Sequence, residues 1–383
     1  MIYSMDMPGR VVAGLDSINK LPDEAAALGA KRVLIATDPG VYKARIVDVP
    51  YKILRDSGFM VDIIANIPPE PTDDDIRKLF SEVSAERYDC IVGIGGGSAM
   101  DAAKLISVMM KNDQDITDMI GNDKIKNRGI PSILVPTTAG TGSEATQNAI
   151  VMIPEQGSKS GVISGKLLPD CVILDHGLTL GLPPAITAST GMDALTHALE
   201  CYISKKANPL SDTYALRAVS LILNSIKKAY EDGRDLAARG DMLIGAYYGG
   251  MSIAASGTAA VHALAYPLGG RYRIPHGVSN AILLAYVMEF NMDVIGKKLK
   301  EAAVVSGLCD AKETESKAAG TIIEKLHTLT RELEIPSSLR AFDIGEKDIE
   351  DLADAALKVK RLLDNNPKEI KKKDMIDIYR KII

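Results

Sequence analysis

The stretch from Cys90 to Met110, CIVGIGGGSAMDAAKLISVMM, decides the fold. It opens with a short β-branched apolar run of the kind buried on both faces of a sheet, and after Ser98 the spacing becomes helical. It therefore reads as strand, glycine turn and helix. Gly95, Gly96 and Gly97 let backbone N–H groups come close to a ligand, and the helix N-terminus behind them adds partial positive charge, which together suit a pyrophosphate. The spacing is not G-x-G-x-x-G, so the turn taken alone reads equally as a tight strand-to-helix connection.

On either side the same alternation continues. RVLIAT (Arg32 to Thr37), VDII (Val61 to Ile64), SILV (Ser132 to Val135) and CVIL (Cys171 to Leu174) read as further buried strands of a mainly parallel sheet. A helix is predicted over Asp73 to Ala85, capped by Thr72, with aspartates in its first turn and Ile76, Leu79, Phe80 and Val83 on one face. Past the Leu182, Pro183, Pro184 break the strand runs stop and every apolar pattern is helical, as in Ala215, Leu216, Val219, Ile222, Leu223 and Ile226, and in Ile349, Leu352, Ala353 and Ala356. The expectation is an α/β domain with a mainly parallel, Rossmann-like sheet over 1–183 and an all-helical domain over 184–383.

Composition fits a globular chain. Of 383 residues, 46% are hydrophobic and 25% charged, without low-complexity tracts, so disordered and fibrous classes are excluded. The net charge is −5, which gives no global attraction to nucleic acid or an acidic membrane. Cys90, Cys171, Cys201 and Cys309 form no C-x-x-C pair, which argues against a disulfide framework or a thiolate zinc site and for a reducing compartment. The opening MIYSMDMPGRVV lacks an apolar signal region and no 18-residue uncharged apolar run follows, so a soluble, cytoplasmic protein is expected.

A second loop, PTTAGTGSEAT (Pro136 to Thr146), follows SILV directly and offers many N–H and O–H donors at the sheet edge where open α/β folds bind ligands. Asp38 ends the first strong strand, where a carboxylate can accept from ribose hydroxyls and repel a 2′-phosphate, although Asp before Pro and Gly is also ordinary turn chemistry. Asp193 and His197 stand at i, i+4 in GMDALTHALECY, on one helix face, a geometry for two ligands of one metal as well as for a plain helix pair. His262 and His276 lie in VHALAYPLGGRYRIPHGVSN; Pro267, Gly269 and Gly270 are expected to break the first helix and Pro275 to start the next, returning both imidazoles to one point. One carboxylate and three imidazoles suit Fe²⁺ or Zn²⁺. His176 and His327 have no ligand-type residue at such spacing and are expected in solvent or core.

Together GGGSAMDAAK (95 to 104), PTTAGTGSEAT (136 to 146), GMDALTHALECY (191 to 202) and HALAYPLGGRYRIPHGVSNAILL (262 to 284) resemble the iron-containing (group III) alcohol dehydrogenase family over essentially the whole chain. The resemblance implies an NAD-binding domain followed by a helical metal-binding domain, the architecture shared with dehydroquinate synthase, with metal and nicotinamide meeting between them. It implies Asp193, His197, His262 and His276 as ligands of Fe²⁺ or Zn²⁺. It places Gly95, Gly96, Gly97, Ser98 and Asp101 at the pyrophosphate turn, and Thr137, Thr138 and Thr141 along the nucleotide. Asp38 matches the position favouring NAD over NADP, Lys159 a lysine near the nicotinamide ribose, and Asn148 a polar group near the nicotinamide. The implied reaction is hydride transfer between nicotinamide C4 and a small primary alcohol or aldehyde, in a homodimer or larger homo-oligomer. The segment Gly9 to Val12 is itself expected as an edge strand that pairs with a second subunit.

One position departs from the family pattern. Many members carry a second histidine four residues after the first of the later ligands, thought to relay the alcohol proton; here Tyr266 occupies that place. A phenol with a pKa near 10 is a poor base at neutral pH, so Tyr266 relays through water, holds a substrate oxygen or fills space. Arg271 and Arg273 flank Tyr272 between the two histidines, where they either bind a carboxylate, sulfonate or phosphonate on the substrate or pair with acids at the surface. A reductase for a small anionic aldehyde, such as sulfoacetaldehyde or succinic semialdehyde, is thus the specialised alternative, a dehydroquinate synthase-like lyase the alternative of another class, and a non-enzymatic nucleotide sensor a third.

Overall fold

The computed structural model describes residues 2–156 and 158–383, without the side chains of residues 156 and 158. The chain divides into two compact units, Asp6–Gly181 and Leu182–Ile383, the latter joined by the first residues of the chain. The division precedes the predicted boundary at 183 because Pro183 is the N-cap of the helix that follows and belongs with it.

The first unit holds strands β1 (Val11–Ala13), β2 (Arg32–Thr37), β3 (Met60–Ile64), β4 (Cys90–Gly95), β5 (Gly121–Asn122), β6 (Ser132–Pro136), β7 (Asn148–Ile153), β8 (Ser158–Ile163) and β9 (Cys171–Leu174). Six form one parallel sheet in the order β1-β9-β6-β4-β2-β3. Alternate residues of β2 enter different cores, Leu34 and Ala36 in one and Val33 and Ile35 in the other, so both faces of the sheet are covered. Helix α1 (Pro39–Lys43) follows β2, α2 (Asp73–Val83) precedes β4, and α3 (Gly97–Met109) follows it. Thr72 and Asp75 close a capping box that starts α2 where the sequence predicts it; the helix ends at Val83, two residues short of the predicted Ala85. Helix α3 is buried all round from Ala99 to Met109, as its unbroken apolar run requires.

Register explains why the motifs converge. Thr37 pairs with Ile94 and Gly95 with Pro136, so Asp38, the glycine turn and Thr137 all leave the carboxyl ends of three adjacent strands. The edge strand expected over Gly9 to Val12 forms at Val11–Ala13 and runs parallel to β9 of its own sheet. The small sheet β5-β8-β7, with β7 and β8 antiparallel, is absent from the sequence reading. Its strand NAIVMI alternates buried and half-buried residues where the search was for continuous apolar runs.

In the second unit α4 (Pro184–Ile203), α5 (Pro209–Glu231), α6 (Leu236–Ser256), α7 (Ala260–Tyr272), α8 (His276–Val305) and α9 (Glu315–Glu332) pack on one another, with α4 central against α5, α6 and α8. One expectation about α7 is corrected. Pro267 does not break it: the helix runs through to Tyr272 and Arg273 ends it at φ 55°. An interior proline costs about 3 kcal/mol; here it is buried, and the Tyr379 hydroxyl donates to the Leu264 carbonyl in the preceding turn at 2.7 Å. Helix α8 is long and apolar enough to cross a bilayer by composition, but 61% of its apolar window is buried inside the protein, as in a core helix. All four thiols are free.

Candidate active site

In the first unit the glycine turn and the PTTAGTGSEAT loop are fastened together. The Thr137 N–H donates to the Gly95 carbonyl at 3.0 Å, Thr138 Oγ1 lies beside Gly96, and Thr141 lies against Gly97. Asp38 caps α1, its Oδ1 accepting from the N–H groups of Gly40 at 2.8 Å and Val41 at 3.0 Å. Its Oδ2 stands 3.0 Å from where a β-carbon on Gly95 would be, and Gly95 has φ 154°, so no other residue fits that turn. Asp38 therefore combines the turn role with a carboxylate oxygen facing the turn. Ser98 Oγ accepts from the Glu70 N–H at 3.0 Å, and the Glu70 carboxylate pairs with Lys159 Nζ at 2.5 Å. Glu70, unremarked in the sequence, thus ties Lys159 to the turn.

Asp101, which the resemblance places at the pyrophosphate turn, faces inward. It is buried; Ser143 Oγ donates to its Oδ1 and the Ile150 N–H to its Oδ2 at 2.9 Å. One helical turn on, Lys104 is 1% exposed and donates to the carbonyls of Ser143 at 2.5 Å, Thr146 at 3.0 Å and Asn148 at 2.7 Å. Asn148 is held by its carbonyl at the start of β7. Burial pulls the Lys104 ammonium below its ordinary range, against the raising influence of Asp101 and Glu144. These two residues of GGGSAMDAAK are the internal anchors of the second loop, and loop position is what they set.

In the second unit Asp193, His197, His262 and His276 converge. One ligand atom from each lies within 4.8 Å of the others. Asp193 Oδ1 is 3.7 Å from His197 Nε2, 3.9 Å from His262 Nε2 and 3.7 Å from His276 Nε2. A tetrahedral ion with bonds of about 2.1 Å asks for ligand separations of about 3.4 Å, a contraction of a few tenths of an ångström around Asp193 and of up to about 1.4 Å for the widest pair. Helix α4 presents Asp193 and His197 one turn apart, α7 brings His262, and His276 is the first residue of α8. Gly277 permits this crossing, because a β-carbon there would stand 2.0 Å from the Ser189 carbonyl oxygen of α4. Burial pushes the Asp193 carboxyl up, but the imidazoles, His197 first, and the Asn280 amide together hold it below the usual range. The cluster is buried except at His276, whose side chain keeps 29% exposure and opens the site.

Two further residues complete it. Asn280 Nδ2 donates to Asp193 Oδ1 at 2.7 Å and lies 3.3 Å from Nε2 of both His262 and His276. Glu200, fully buried, faces His262 Nδ1 with Oε2 at 2.5 Å. Both escaped the sequence reading, although Glu200 stands in GMDALTHALECY three residues after His197 and Asn280 four after His276, each one helical turn from a proposed ligand.

Residues 8–176 match the family described as iron-containing alcohol dehydrogenase, and residues 187–383 match the C-terminal region of the Fe-containing alcohol dehydrogenase family. The chain belongs to the iron-containing alcohol dehydrogenase family. Long-chain-alcohol dehydrogenase 1 of Geobacillus thermodenitrificans is 38% identical over 369 residues, 96% of this chain and 93% of that relative. The crystal structure of a 1,3-propanediol oxidoreductase superposes with a TM-score of 0.96 at 33% identity, covering 100% of both chains. A sulfoacetaldehyde reductase from Bifidobacterium kashiwanohense, in complex with NAD⁺, superposes with a TM-score of 0.90 at 26% identity, covering 100% of this chain and 99% of that one. The protein is an alcohol oxidoreductase, with a parallel-sheet N-terminal domain and a helical C-terminal one.

Within this alcohol oxidoreductase the remaining candidates separate. The Tyr266 ring centroid is 6.1 Å from that of His276, so the tyrosine stands beside the cluster. Burial pushes its hydroxyl above the ordinary phenol range, against the lowering influence of Arg361. Arg271 is paired, 3.6 Å from Asp351, with both side chains well exposed. Arg273 is exposed and terminates α7. Of the two alternatives for Arg271, the surface pair with an acid is the one this structure shows. His327, expected in solvent or core, is half-buried with Nε2 2.9 Å from Glu289 Oε1, because α9 packs on α8.

Proposed function

We propose that the protein is an NAD(H)-linked, metal-dependent oxidoreductase that interconverts a small primary alcohol and its aldehyde. The observation that carries this reading is the convergence of Asp193, His197, His262 and His276, one acid and three imidazoles, in a buried cluster whose most exposed member is His276. A hard or borderline divalent cation, Fe²⁺ or Zn²⁺, fits that donor set, and when bound it supplies Lewis-acid polarisation of the substrate oxygen. The residues themselves hold the site. Asp193 contributes the charge, Asn280 keeps its carboxylate oriented, and the exposed flank of His276 admits the substrate. In the first unit the turn Gly95–Gly97 and Ser98 offer N–H groups at the N-terminus of α3 to the pyrophosphate, Thr138 and Thr141 line the nucleotide, and Asp38 accepts from ribose hydroxyls. Lys159 and Asn148 belong to the nicotinamide end by their family positions. Tyr266, its hydroxyl raised rather than lowered, suits a hydrogen-bond donor to a substrate oxygen better than a base.

A second reading, reduction of a small anionic aldehyde, is favoured by one observation. The short helix Lys360–Leu363, which carries the exposed Arg361, packs on α7, which carries Tyr266. The test is NADH oxidation by metal-loaded protein, comparing kcat/KM for sulfoacetaldehyde and succinic semialdehyde with that for propanal. A hundredfold preference for the acids, about 2.7 kcal/mol, that Arg361→Ala removes through KM supports the second reading. Preference for propanal supports the general one, and no NADH-dependent turnover with any of them defeats both.

A further inference from the structure

Glu200 is fully buried in α4, and both of its oxygens are committed to the first turn of α7. Oε1 accepts from the Val261 N–H at 2.5 Å and Oε2 lies 2.5 Å from His262 Nδ1. The Val261 N–H is one of the amides at a helix start that have no partner inside the helix, and the same end of the helix dipole favours an anion. A carboxylate there accepts from two donors on consecutive residues, so the proton shared with His262 sits on Nδ1 and the lone pair of Nε2 is left on the side of Asp193. The Asn280 amide, which approaches His262 Nε2 at 3.3 Å as a donor, is consistent with an accepting Nε2. Among the described residues Glu200 has no lysine or arginine within ion-pairing distance, so the imidazole and backbone are its compensation. Such a charge is costly to bury without good reason.

We propose that Glu200 is a positioning residue of the metal site: it locks His262 in the tautomer that presents Nε2 to the cation and strengthens that nitrogen as a donor. The inference rests on the metal-dependent reading above. Glu200 touches neither substrate nor cofactor. A glutamine has the same shape but only one acceptor oxygen, so its amide N–H₂ must face either the Val261 N–H or Nδ1, and in the second case it drives His262 to the Nε2–H tautomer that does not coordinate.

The test is titration of apo-protein with Co²⁺ alone, followed by visible d–d absorption, for wild type and Glu200→Gln, with NADH binding measured in parallel. Wild type is expected to bind one Co²⁺ per chain, and Glu200→Gln to bind it about ten- to a hundredfold more weakly, with altered d–d bands and unchanged NADH affinity. Equal affinity and spectrum in the two proteins overturn the inference while leaving the metal site standing. Failure of wild type to bind Co²⁺ overturns the metal reading instead. Should Glu200→Gln not fold, the tautomer is read directly in wild-type protein by ¹⁵N-histidine NMR: Nδ1–H on His262 is expected, and Nε2–H overturns the inference.

Discussion

The Asn280 amide nitrogen stands 2.7 Å from Asp193 Oδ1, so a buried carboxylate in the second unit is held by a neutral donor one helical turn into α8. The same nitrogen is within 3.3 Å of two imidazole nitrogens, while Asn280 Oδ1 is buried without a partner among the described residues. Asn280 does the work of orienting Asp193 until a cation takes it over. Asn280→Leu keeps the volume and removes that hydrogen bond; it is expected to cost the apo-protein about 1–3 kcal/mol. With saturating Zn²⁺ the loss should be markedly smaller, since the ion then orients the carboxylate. Urea unfolding with and without Zn²⁺ measures both, and an identical loss in the two states contradicts this role.

Glu144 sits in the PTTAGTGSEAT loop at 1% exposure, and burial pushes its carboxyl from the ordinary 4.5 up to about 7, against the pull of its own backbone N–H and of Lys104. A carboxyl raised in the folded state binds a proton that the unfolded chain has released. Its contribution to stability is therefore fully present below about pH 4.5, declines as pH rises, and is gone above about pH 7. Other carboxylates titrate too, so the difference between wild type and Glu144→Gln isolates it. That difference is expected to move against wild type by up to about 3 kcal/mol between pH 4.5 and 7, measured by denaturant unfolding at each pH. A pH-independent difference contradicts the assignment.

Asp38 has separable roles, since Oδ1 caps α1 while Oδ2 faces Gly95. Serine caps as well as aspartate but carries no charge. Asp38→Ser is thus expected to leave the melting temperature nearly unchanged and to raise the kcat/KM ratio of NADPH to NADH at least tenfold, by removing repulsion of the 2′-phosphate. Steady-state kinetics with both cofactors decide it; an unchanged ratio removes Asp38 from cofactor choice.

Much of this organisation is legible in the chain because its signals are local. CIVGI with its glycines, and SILV with its hydroxyl loop, declare strand, turn and helix by period and composition, and Asp193 and His197 share a face by helical spacing alone. What stays hidden is set by contact across the fold. Nothing in the local pattern says that Asp101 and Lys104 turn inward to hold residues 143–150, since a charged pair on an apolar helix reads equally as its solvent face. Arg271 drew notice from its nearness in sequence to His276, yet its partner, Asp351, lies in a distant helix. Glu200 and Asn280 are visible only once α4, α7 and α8 cross.

The central claim is that turnover depends on a divalent cation at Asp193, His197, His262 and His276. The direct measurement is NADH oxidation with propanal as apo-protein is titrated anaerobically with Fe²⁺ or Zn²⁺, for wild type and for His262→Ala. The rate is expected to rise with added metal and level off at one equivalent per chain in wild type, and to stay at background in His262→Ala although that variant still binds NADH. Full turnover in metal-free protein, or a wild-type response in His262→Ala, would contradict the account.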